Sequence, residues 1–115
     1  MAGTEVLPVD FFQTRGGGEP VRDWLKQIEP ADRRVIGYDL LRVQRGWPVG
    51  MPLCRNLGEG LWEIRSNLPS RRIARLLFVV RQERVLLLHG FIKKSQAIPA
   101  TELDLARKRA RESYP

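Results

Sequence analysis

Arg65, Arg75, His89, Lys93 and Lys94 are the side chains of this 115-residue sequence best suited to chemistry on a phosphate. RNA cut by its own 2′-hydroxyl needs a base for that hydroxyl, an acid for the departing 5′ oxygen, and positive charge for the extra anion on phosphorus. Arginine supplies the charge and matches phosphate oxygens in bidentate fashion, but it stays protonated and is no base. Lysine becomes a base only where burial or neighbouring cations depress its pKa, and Lys93 has Lys94 beside it. His89 is the one histidine of the chain and titrates nearest neutrality. Each residue also has a plainer reading. A lone histidine between Leu88 and Gly90, in an apolar stretch, is more often a hydrogen-bonded core residue. Arg65 could pair with Glu63 at the surface, and Lys93-Lys94 could be a solvated strand end.

Three strands are expected to hold these residues. Residues 60–67 alternate, with Trp62 and Ile64 on one side and Glu63 and Arg65 on the other. Residues 72–81 and 84–92 are apolar on both sides, as central strands are, and Gln82-Glu83 joins them tightly. Within the last strand, parity points His89 and Phe91 the same way, and Lys93 too if the strand extends. Parity does not carry across turns, so a shared face for Arg65, Arg75, His89 and Lys93 is an expectation.

Upstream, residues 5–12 read as a strand placed at an edge by Pro8. A glycine turn at 16–18 follows, too irregular for a nucleotide P-loop. Val21, Trp24, Leu25 and Ile28 form one helical stripe ended by Pro30. Ile36, Leu40 and Val43 form a second, capped by Asp32 and stopped by Gly46. Thr101 to Asp104 resembles a capping box for a last helix carrying Arg107, Lys108, Arg109 and Arg111 near its end. The order β-α-α-β-β-β-α predicts a small α+β domain: an antiparallel sheet, a helical hairpin on one face, a C-terminal helix, and the opposite face left open. Trp24 and Trp62 are expected in the core, Trp47 at a partner contact, and Cys54 as a small buried apolar residue.

Length and composition narrow the function classes. The chain suffices for one domain spanning residues 1–115. A single cysteine excludes an internal disulfide and argues against a cage of several thiolates, and a single histidine argues against most His-rich metal sites. No apolar run approaches the ~20 residues that span a bilayer. The N-terminus shows no secretory signal pattern. A cytoplasmic location without a membrane partner is expected. Lys and Arg total 20 against 13 Asp and Glu, a net charge of +7, which suits a polyanion. Arg72, Arg107, Lys108 and Arg111 are the remaining candidates for RNA contact.

Residues 57–99, LGEGLWEIRSNLPSRRIARLLFVVRQERVLLLHGFIKKSQAIP, resemble the RelE/ParE toxin superfamily, and within it the phage-associated HigB-like branch. The resemblance rests on Gly-Leu-Trp-Glu-Ile-Arg at 60–65, Arg75 ahead of mixed apolars, and Leu-Leu-His-Gly-Phe-Ile-Lys-Lys at 87–94. Ser95-Gln96 with Pro99 follow in register. Pro20-Val21 with Trp24-Leu25, and Glu102 with Ala106 and Arg109, also fit, so the likeness covers nearly the whole chain. Many relatives carry an aromatic at the position of Ala74 or Leu77, which this chain lacks. The resemblance implies a RelE-like fold and a type II toxin that cuts mRNA in the ribosomal A site without a metal, leaving a 2′,3′-cyclic phosphate. It implies a cognate antitoxin, often a helix-turn-helix repressor of the HigA kind, with the ribosome and mRNA as further partners. By matched position, Arg65 and Arg75 would hold the scissile phosphate, and Lys93 with Lys94 would add charge or move a proton. His89 is a position that varies in such sequences. Two alternatives compete with this reading. One is a ParE-like, non-catalytic inhibitor of DNA gyrase, for which the clustered cations have no evident use. The other is an inactive RNA-binding module.

Overall fold

The hydrophobic period changes from helical to alternating after Gly46, and the backbone changes with it. The computed structural model describes residues 6–93 and 97–113, Lys93 by its backbone alone. In chain order it comprises β1 (Val9–Phe11), α1 (Pro20–Gln27), α2 (Pro30–Gly46), β2 (Cys54–Gly58), β3 (Leu61–Asn67), β4 (Ile73–Arg81), β5 (Arg84–Lys93) and α3 (Ala100–Glu112). The sheet runs β1-β5-β4-β3-β2. β2, β3, β4 and β5 pair antiparallel, while β1 pairs parallel with β5. This small α+β domain is consistent with the RelE-like fold.

The sheet is five-stranded and mixed, not a purely antiparallel meander. β1 lies at an edge, as Pro8 suggests, and β5 returns beside it after both helices of the hairpin and three further strands. β2 was not legible: only Cys54 of its residues is buried, so the segment lacks alternation. The expected tight turn at Gln82-Glu83 is present, with both residues at positive φ (51° and 59°), the backbone of a type I′ hairpin.

Each sheet face carries its own core. α1 and α2 cover the face bearing Ile64, Ala74, Leu76, Phe78, Val85 and Leu87. The second face holds Leu61, Leu77, Val79, Leu86, Leu88 and Phe91, and it is not open: Ala106, with Leu103 and Ala110, packs α3 against it. Those three residues recur at i, i+3 and i+7, one stripe of a helix. The basic charges around them masked that stripe in the sequence.

Some local expectations also change. Pro30 ends no helix; it is the first residue of α2. Asp32 is therefore inside the first turn, buried, where its Oδ2 accepts a 2.9 Å hydrogen bond from Ser70 Oγ. α3 starts after Pro99 with no side-chain cap, so Thr101 caps nothing. Trp47, partly buried against the first core, packs edge-on against Trp62, ring centres 4.9 Å apart. Cys54 is buried, and burial pushes its thiol up to about 11, so it stays protonated.

Gly90 sits directly under the Trp24 ring. A Cβ there would collide with Trp24 Cζ3 and Cε3 and come within 3.0 Å of Cη2. Gly90→Ala is expected to destabilise the domain by about 1–3 kcal/mol through overpacking. Chemical denaturation would check this. Trp24→Leu in the same background should recover part of the loss.

Candidate active site

β-Pairing decides which candidates share a face. Arg65 stands opposite Arg75, Arg75 opposite Phe91, Leu77 opposite His89, and Ile73 opposite Lys93. Cross-strand partners lie on the same side of a sheet, so Arg65, Arg75 and His89 share the α3 face, and Lys93 takes the matching register position. The expected common face is real, although it is the covered one. A bulge beside Leu77 and Phe78 in this pairing resets the parity of β5, so Leu88 and His89 both serve that face. The side chain of Lys93, and Lys94 altogether, lie outside the described residues.

The face divides into a sealed part and an accessible rim. Arg75 is 0% exposed, and its Nη1 donates a 2.8 Å hydrogen bond to Glu63 Oε2, also at 0%. In this arrangement the Arg75 guanidinium is within the protein and reaches no outside phosphate. Glu63 thus serves Arg75, not Arg65. Alternation put Glu63 on the correct side; its depth depends on what lies above it. Arg65 is half-buried, with its Nε enclosed and making no hydrogen bond among the described residues.

His89 opens onto a groove between the end of α1 and the start of α3. The groove is shallow and open to solvent, about 610 Å³, and bordered by Trp24, Glu29, Arg72, His89, Phe91 and Glu102, among others. The imidazole stacks on Phe91, ring centres 5.4 Å apart and planes 29° from parallel. Its Nε2 lies 3.2 Å from Glu102 Oε2, off the direction of a well-formed hydrogen bond. Burial pushes the His89 imidazole below its ordinary value of 6.5; Glu102 opposes this and Arg109 adds a smaller downward push. The ring is accordingly a neutral base at pH 7. Arg72 is exposed, donates to Ser70 Oγ at 3.2 Å, and keeps Nη2 3.5 Å from Asp32 Oδ2.

The C-terminal cations separate by role. Arg107 straps α3 to the β2–β3 turn by donating to Leu57 O at 3.0 Å and Gly58 O at 3.3 Å. Lys108 and Arg111 are exposed on the outer side of α3. Arg109 donates to Leu88 O at 2.8 Å and lies over the Phe12 ring, so it is a structural strut. Sequence reasoning read Asp32 as a helix cap and Glu63 as a partner for Arg65, and placed none of Asp32, Glu63 or Glu102 among the site residues. An acid within a strand that also carries a candidate arginine was the signal for Glu63.

The family model of phage-derived Gp49-like proteins (DUF891) matches residues 23–111, from the first helix to the end of the last. The chain belongs to the Gp49-like family. This is a RelE-like toxin family, and a toxin of a toxin–antitoxin pair is consistent with it. Among curated proteins, none matches the chain. In this Gp49-like protein no helix of the described residues is long and apolar enough to cross a membrane.

Proposed function

We propose that this Gp49-like protein is the toxin of a type II toxin–antitoxin pair, of the HigB kind, and cuts mRNA on the ribosome. The observation that carries this reading is the single groove onto which His89, Arg72 and Phe91 open. A neutral imidazole can take the 2′-hydroxyl proton, an exposed guanidinium can hold the scissile phosphate, and an aromatic floor can support a base. Arg65, half-buried beside Asp39, Arg42 and Asn67 and outside this groove, is the second phosphate donor in this reading. No metal or cofactor enters the reaction. Lys93 and Lys94 would add positive charge from the end of β5. Lys108 and Arg111 would meet ribosomal RNA phosphates, so association should weaken as salt rises. The antitoxin, with a helix-turn-helix partner in view, would cover the groove with an acidic segment.

Induced expression in a bacterium, with 5′ ends of total mRNA mapped in parallel, tests the reading. Wild type should arrest growth and produce new cuts within translated mRNA. Arg65→Ala/Arg72→Ala should lose both while remaining folded. Arrest without cuts, unchanged in the double variant, would overturn the proposal in favour of a ParE-like inhibitor. Harmless expression of soluble protein would favour an inactive binding module.

A further inference from the structure

A base must be oriented as well as neutral. The imidazole of His89 has two nitrogens in different surroundings. Nε2 is enclosed and lies 3.2 Å from Glu102 Oε2. Nδ1 makes no hydrogen bond among the described residues. A carboxylate opposite Nε2 favours the tautomer with its proton there, leaving the Nδ1 lone pair as the acceptor. Glu102 is placed by the first turn of α3, and Ala106, one turn on, is fully buried in the second core. The carboxylate is therefore held by the same packing that closes the face.

The geometry points to Glu102 as the positioning residue of His89, fixing its tautomer so that Nδ1 receives the proton of the substrate's 2′-hydroxyl. The inference rests on the nuclease reading above. In the step, the 2′ oxygen bonds to phosphorus, the bond from phosphorus to the 5′ oxygen breaks, and the hydroxyl proton passes to Nδ1. The leaving oxygen takes a proton from water. Glu102 stabilises the imidazolium that forms, as the carboxylate does in a Ser-His-Asp triad. The charged groups facing His89 are Glu102 and Arg109 from α3, with Arg72 and Glu29 on the groove wall. Among the described residues, Glu102 is the one that approaches Nε2 as a partner.

The single histidine makes the test direct, because one imidazole signal can be followed by NMR in the full chain without assignment. Glu102→Gln keeps the shape and removes the charge. Its His89 midpoint should fall below that of wild type, and its ¹⁵N shifts should show a loss of the Nε2–H tautomer. Cleavage of ribosome-bound mRNA should drop about tenfold or more, with the acid limb of the pH profile moved to lower pH. Glu102→Asp, which keeps the charge, should recover part of both. An unchanged titration and tautomer in Glu102→Gln would overturn the assignment whatever the activity. So would unchanged cleavage and an unchanged acid limb beside a wild type that cuts. A wild type making no cuts would instead sink the nuclease reading and, with it, the catalytic half of this one.

Discussion

Arg75→Ala is expected to destabilise the domain by about 3–5 kcal/mol, because it strands the Glu63 carboxylate in the interior. Glu63 and Arg75 are both 0% exposed and joined at 2.8 Å. Small domains hold only about 5–15 kcal/mol in total, so the variant loses a large share of its stability. Replacing both partners by apolar residues of similar volume, Glu63→Leu with Arg75→Met, removes the buried charges together and should return the unfolding midpoint towards wild type. Urea denaturation of wild type, Glu63→Leu, Arg75→Met and the double variant measures this as a double-mutant cycle, with Arg75→Ala beside them. A midpoint for Arg75→Ala equal to wild type would refute the buried pair as a support of the fold. The outcome also governs how toxicity data are read. Loss of toxicity in Arg75→Ala would report unfolding as readily as lost chemistry, so Arg65 and Arg72 are the cleaner probes.

His89→Gln is expected to lower ribosome-dependent cleavage by about a hundred- to ten-thousandfold, the range for loss of a general base. The same variant should change how stability depends on pH. The folded protein holds the His89 imidazole below 6.5, mainly through burial. The unfolded chain therefore binds its proton first as pH falls. Stability from this source is complete above about 6.5 and is lost as pH drops through the folded-state value. His89→Gln cannot take up that proton and should lose less stability than wild type between pH 7 and about 5. Unfolding midpoints at the two pH values check the sign. A wild type that loses no more stability than His89→Gln between the two pH values would contradict it. Full cleavage by His89→Gln would move the base elsewhere, with Lys93 the next candidate.

Periodicity alone carried much of the architecture. Val21, Trp24, Leu25 and Ile28 pack in the core as their helical spacing requires, as do Ile36 and Val43. The alternation of Trp62 and Ile64 against Glu63 and Arg65 matches the two faces of β3. These features rest on neighbours within a few residues, where the backbone geometry is nearly fixed. The membership of Arg65, Arg75 and His89 in one face was open until register was known, because a turn can reset parity and a bulge in β5 does so.

Depth was beyond local reasoning. Arg75 reads as a surface cation from its type, yet Glu63 on the neighbouring strand compensates its charge and lets it be buried. Glu102 stands thirteen positions beyond His89 in sequence, and only the return of α3 across the sheet brings them to 3.2 Å. Asp32 looks like a cap in sequence and is claimed instead by Ser70, on a turn far along the chain. Residue types and spacing determined that this chain is a small basic α+β domain whose candidate arginines and histidine stand on β3, β4 and β5. The tertiary structure alone decided which of those cations are sealed and which meet solvent. Burial and charge pairing depend on contacts between segments distant in sequence, and no local pattern encodes those.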